Sequence, residues 1–136
     1  MSQISSSFVA DPELFQVLEE RAQVIALGPD RVLFRQGDPP AGVYILRKGT
    51  ATLTSQTDGE YLIDVKVGAG SLLGVPAVVG GKLYSLTAEA APDAEIGVVT
   101  CDDFLHLLHN EPLLAFRLLQ VLAAEVRFAR ESLAHQ

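Results

Sequence analysis

The chain has one cysteine, Cys101, and no tryptophan. A single thiol excludes an internal disulfide, so the fold must be held by its core alone. Histidine is also scarce: the three copies are His106, His109 and His135, and none lies between residues 23 and 100. That gap removes the commonest metal ligand from the middle of the chain. No apolar run reaches the roughly 18 residues a membrane helix requires, and Met1-Ser2-Gln3-Ile4-Ser5-Ser6-Ser7 is too polar and uncharged to be a targeting segment. Cations are few, with 10 Lys and Arg against 17 Asp and Glu and a net charge of −7. Nucleic-acid affinity comes mostly from cations that displace counterions, so direct nucleic-acid binding is not expected. The composition predicts a soluble cytoplasmic protein without a membrane partner.

What is present is organised into one domain of ordinary apolar content, 49% over 136 residues. Residues 1–10 are expected to form a flexible N-terminus, with the domain at 11–136. Asp11-Pro12-Glu13 reads as a helix start: a capping oxygen, a proline whose missing N–H costs nothing at the first position, and an acid near the positive end of the dipole. Leu14, Phe15 and Leu18 then share one face, predicting a short helix to about Arg21.

From about 23 to 100 the period changes to that of strands separated by Gly, Pro and Asp turns. The runs are Val24–Leu27, Arg31–Phe34, Val43–Leu46, Ala51–Thr54, Tyr61–Val67, Leu83–Ala90 and Glu95–Val99. Seven or eight strands spaced in this way predict a mainly β fold with flanking helices, a sandwich or closed roll of antiparallel strands. Cupin enzymes share a similar roll but hold metal through strand histidines, and residues 23–100 contain none.

One stretch interrupts the strands, Gly70 to Ala88. It opens on glycines, allows at most one turn of helix, and loosens again at Gly80-Gly81. A helical turn leaving a glycine-flanked entry aims free backbone N–H groups outward, a layout that suits an anion. The side chains, however, are largely uncharged.

Two helices close the chain, at about 101–134. Thr100 can cap the first, which carries Phe104, Leu105, Leu107 and Leu108, and Asn110-Glu111-Pro112 breaks it. In the second, Leu119, Leu122, Val126, Ala129 and Leu133 step by three and four as a coiled-coil seam, while Leu114, Leu118, Val121 and Phe128 form another apolar stripe. One stripe can pack on the roll; the other calls for a second copy, giving a homodimer through this helix.

This order of parts, together with Leu33-Phe34-Arg35-Gln36-Gly37-Asp38-Pro39-Pro40-Ala41-Gly42-Val43-Tyr44-Ile45-Leu46-Arg47-Lys48-Gly49, resembles the cyclic-nucleotide-binding domain of the bacterial catabolite-activator and fumarate/nitrate-regulator superfamily. The resemblance spans about 11–134 and implies an eight-stranded antiparallel jelly roll (double-stranded β-helix) with a short N-terminal helix, a short helix in the cassette and two C-terminal helices. It implies a phosphate cassette that opens with Gly-Glu, the carboxylate on the ribose hydroxyl, and closes with Arg followed by Ser or Thr on the cyclic phosphate. Laid on this chain, the opening glycine is Gly74 and the closing hydroxyl is Ser85, but the carboxylate position holds Val75 and the arginine position Tyr84. Pro76, ahead of Ala77, removes one N–H donor from the short helix. The residues implied to meet the purine fall near Ala129 and Arg130.

Loss of one partner of a buried charge pair costs about 2–5 kcal/mol, and a charge-assisted hydrogen bond is worth about 1.5–3 kcal/mol. Losing both takes a micromolar ligand to millimolar or weaker, so cyclic nucleotide is disfavoured and no cofactor is expected. Lys82, beside the Gly81 hinge, can supply a cation, although a solvated loop lysine is the ordinary reading. Tyr84 can donate to a less charged ligand, or fill the vacated pocket, as a tyrosine at such a place more often does. Ser85 is expected to cap or bond locally.

Cys101, His106 and His109 have spacing seen in metal sites, but a polar helix face explains them as well, and no metal is assigned. No arrangement of nucleophile, base and orienting acid stands out, so the chain is not expected to be an enzyme. The expected function is that of a stand-alone regulatory or sensor module with a degenerate cassette and a small-molecule or protein partner. The alternative is the ligand-sensing, dimerising half of a transcription regulator, whose reading frame continues past Gln136 into a helix-turn-helix domain. A purely structural dimer module would have its cassette closed by its own side chains.

Overall fold

The computed structural model of the protein describes residues 4–5 and 8–118. Among these, nine strands form two sheets that do not close on each other. The larger sheet contains β1 (Ile4–Ser5), β3 (Val32–Phe34), β5 (Thr50–Thr57), β6 (Glu60–Gly68) and β8 (Thr87–Ala90), in the order β1-β6-β5-β8-β3. The smaller contains β2 (Gln23–Val24), β4 (Gly42–Lys48), β7 (Leu72–Leu73) and β9 (Glu95–Thr100), in the order β2-β9-β4-β7. The fold is thus mainly β and jelly-roll-like, as expected. One pair departs from the antiparallel pattern, β1 running parallel to β6.

Strand alternation divides the core in two. In β4, Val43 and Ile45 point away from the roll while Tyr44 and Leu46 point into it. β9 does the same with Val99 outside and Ile96 inside, and β7 with Leu72 outside and Leu73 inside. The inner cluster, with Phe34, Leu53, Val67 and Ala88, lies between the sheets. The outer cluster is covered by helices, through Leu14 and Leu18 of α1 (Pro12–Arg21), Val75 and Val78 of α2 (Val75–Gly80), Phe104 and Leu107 of α3 (Cys101–Asn110), and Leu114 and Leu118 of the helical residues 112–118.

The helix ends follow local chemistry. The Asp11 carboxylate accepts from the Glu13 and Leu14 amides at 3.0 and 3.1 Å, and the Thr100 hydroxyl accepts from Asp103 N at 3.2 Å. Arg117 reaches back to the same N-cap, donating to Asp11 at 3.1 Å and to Glu13.

Two boundaries differ from the sequence reading. Phe8 is only 1% exposed, Leu72 N donates to its carbonyl at 3.0 Å, and Ala10 N donates to Gly70 O at 3.0 Å, so packing extends the domain ahead of Asp11. The strand expected from Leu83 begins only at Thr87, because Tyr84 pairs its backbone with the turn at Gly37 and Asp38 rather than with a neighbouring strand. The seam residues Leu119, Leu122, Val126, Ala129 and Leu133, and Arg130, lie outside the described residues. Among the described residues no helix is long and apolar enough to cross a membrane.

Candidate ligand cassette

β7 delivers the chain to Gly74, whose φ of +88° is easily adopted only by glycine and turns the backbone into α2. The helix lasts six residues before Gly81 ends it, with Lys82 N donating to Ala77 O at 3.0 Å. The segment from Lys82 to Leu86 then descends to β8.

The sequence-predicted residues of this loop separate into three groups. Val75 is 0% exposed, and with Val78 it joins Leu14, Val99 and Phe104 on the helix side of the small sheet. Ala77 and Tyr84 face the other way, into the roll. Lys82 and Ser85 are exposed, and the Lys82 stem lies along Gly80; Pro76 is half-buried in the first turn of α2. The structure therefore brings Gly74, Ala77 and Tyr84 together, while Val75 is buried under the helices and Lys82 and Ser85 face solvent.

Tyr84 is 3% exposed. Its ring stacks on Phe34 with centroids 3.9 Å apart and planes 18° from parallel, and Tyr44 flanks Phe34 at 5.5 Å. Its hydroxyl donates to Gly42 O at 2.7 Å and accepts from Ala41 N at 3.1 Å and Gly42 N at 3.2 Å. Gly42 has no room for a side chain, since an added Cβ would stand 2.3 Å from Val99 O. An added Cβ on Gly74 would stand 2.7 Å from Tyr84 Cε1. The space between the entry glycine and the start of β4 is thus filled by one phenol ring.

Burial is the main cause that holds the Tyr84 phenol above its ordinary value near 10. The amides of Gly42 and Ala41 pull it down, and Cys101 and Asp38 push it further up. Tyr44 is raised likewise, first by burial and then by Tyr84 and Cys101. The Cys101 thiol donates to Pro40 O at 3.4 Å, on the turn that receives Tyr84. Phe34, Ala41, Gly42 and Cys101 are partners that sequence reasoning did not assign to the site. In the sequence the string from Phe34 to Gly42 marks the fold and not the site. Among the described residues, no three His, Cys, Asp or Glu side chains are grouped to hold a metal ion.

Two surface depressions lie elsewhere. One, of about 310 Å³, runs between α1 and the segment Leu107–Arg117; the other, of about 500 Å³, lies on the outer face of the large sheet over Thr50, Thr52, Thr54 and Lys66.

Comparison with known proteins supplies the relationships. The family described as cyclic nucleotide-binding domain matches residues 8–111. The catabolite activator protein of Thermus thermophilus is 26% identical with a TM-score of 0.74, over 90% of this chain and 58% of that one, so the chain spans little more than half of that protein. A cyclic nucleotide-binding domain from Methylobacillus flagellatus is 25% identical with a TM-score of 0.67, over 90% of this chain and 70% of that one. The sensor domain of the transcriptional regulator DNR from Pseudomonas aeruginosa shares the fold at 21% identity and a TM-score of 0.65, over 85% of this chain and 79% of that one. No curated protein matches. On the family match over residues 8–111, most of its length, the chain belongs to the cyclic nucleotide-binding domain family.

Proposed function

We propose that the chain is a non-enzymatic regulatory module of the cyclic nucleotide-binding family, and that its cassette engages cAMP and cGMP weakly or not at all. The supporting observation is Tyr84. At the position where the family pattern carries arginine, a buried ring stacks on Phe34 and spends its hydroxyl on the Ala41 and Gly42 backbone. Val75, at the acid position, adds a second argument: it is buried among aliphatic and aromatic side chains, where a carboxylate would lose its solvation. The module acts in the cytoplasm and assembles as a homodimer through Leu119, Leu122, Val126, Ala129 and Leu133. Leu113 and Phe116, exposed at 77% and 72%, lie in the helical residues 112–118 that precede them in sequence and add apolar surface that a second copy would cover.

A second reading, the sensory half of a transcription regulator, draws on the likeness to a catabolite activator protein of which this chain spans 58%. It predicts a coding sequence that continues past Gln136 into a helix-turn-helix domain.

Calorimetric titration with cAMP, cGMP and cyclic dinucleotides tests the functional reading. No heat is expected from cAMP or cGMP at micromolar concentration. Micromolar binding of either defeats it. Sedimentation equilibrium tests the dimer, which a concentration-independent monomer mass would rule out.

A further inference from the structure

Tyr84 does more than occupy space. Five hydrogen bonds tie this one residue to the turn at Gly37–Gly42: three through its hydroxyl, one from its N–H to Asp38 O at 2.9 Å, and one from Gly37 N to its carbonyl at 2.8 Å. The ring lies flat on Phe34 and abuts Gly74 with its Cε1 edge. Two consecutive amides, Ala41 and Gly42, converge on the phenolic oxygen. Converging amides of this kind ordinarily receive an oxygen of a bound anion. Here that place is taken by a neutral group of the chain itself.

We propose that Tyr84 is an internal ligand, a tethered phenol that fills the slot between Phe34, Gly74 and the Ala41–Gly42 amides and latches the cassette onto the Gly37–Gly42 turn without any external molecule. This rests on the reading that the cassette does not hold a cyclic phosphate, and it deepens that reading. Closure is constitutive, and a molecule entering the slot must compete with the phenol.

Amide hydrogen exchange followed by NMR on wild type, Tyr84→Phe and Tyr84→Gly tests the latch. Tyr84→Phe keeps the ring and removes the acceptor, so exchange at Ala41 and Gly42 is expected to rise at least about tenfold while later β4 amides stay unchanged. A ring that merely filled the core would leave Ala41 and Gly42 unaltered. Tyr84→Gly vacates the slot, and p-cresol, the tyrosine side chain as a free molecule, is expected to bind it saturably at millimolar concentration and to restore protection at Ala41 and Gly42. Unchanged exchange in Tyr84→Phe, or no saturable p-cresol binding to a folded Tyr84→Gly, overturns the proposal; if Tyr84→Gly does not fold, the Tyr84→Phe exchange decides alone. A parallel titration of wild type with cAMP separates the two readings. Micromolar binding beside accelerated Ala41 and Gly42 exchange in Tyr84→Phe defeats the functional reading and supports the latch. An inert wild type beside unchanged exchange defeats the latch alone.

Discussion

Val75→Glu, at the proposed acid position of the cassette, places a carboxyl where the present side chain is fully buried, among Leu14, Val78, Val99 and Phe104. The buried members of that cluster are aliphatic and aromatic side chains. A carboxyl buried in such surroundings has its pKa raised by about three units or more, and three units correspond to about 4 kcal/mol. That is a large share of the roughly 5–15 kcal/mol that holds a domain folded. The native pKa lies above the unfolded value of about 4.3, so the charge-related loss is absent below that value and grows as pH rises to the native pKa. At pH 5 what remains is chiefly the burial of a neutral polar group, about 1–3 kcal/mol. Thermal melts by circular dichroism at about pH 5 and pH 8 read the difference. The variant is expected to lose roughly 15 °C or more in Tm relative to wild type at pH 8, and clearly less at pH 5. A variant as stable as wild type at pH 8 would mean that Val75 faces water or a cation, and the placement of the acid position would be refuted.

Gly74→Ala forces a side chain onto a φ of +88° and into the Tyr84 ring, with an expected cost of about 2–4 kcal/mol. Combining it with Tyr84→Ala should relieve part of that loss, giving a coupling of at least about 1 kcal/mol in denaturant unfolding, whereas additivity would deny the contact. Asp11→Ala removes the cap on α1 and one partner of Arg117, and is expected to cost about 1 kcal/mol, lowering Tm by roughly 3–5 °C; an unchanged Tm contradicts the capping role. Tyr44 and Tyr84 have native pKa values raised above about 10, so their contribution to stability is present below that pH and is lost as pH rises through the native values. Ultraviolet absorbance and circular dichroism followed together should show these phenols ionising as structure is lost, and Tyr84 ionising below 10 in an intact fold would contradict its burial.

The fold was legible because its signals are local. Asp11 and Thr100 cap helices through their own side chains, and the β4 residues alternate between two buried faces within a single strand. β1 and β7 were not legible, since two residues carry no period and their pairing is set by strands far away in the chain. Leu83 to Leu86 alternates like a strand, yet Tyr84 is drawn out of the sheet by Gly37 and Asp38, residues more than forty positions earlier. The same distance explains the site. The expected mismatch at Val75 and Tyr84 comes from the resemblance, and a tyrosine that fills the pocket is among the readings it leaves open. That Phe34, Ala41 and Gly42 receive it, and that Val75 turns towards the helices, depends on how the two sheets and the helices meet.

An assigned amide spectrum of wild type, titrated with cAMP, is the most direct measurement. With the phenol seated between Gly74 and Gly42, the cross-peaks of Ala41, Gly42 and Gly74 are predicted to stay in place up to about 1 mM nucleotide. Saturable movement of those three peaks at micromolar cAMP would show a cyclic phosphate displacing Tyr84, and would contradict a cassette closed by its own side chain.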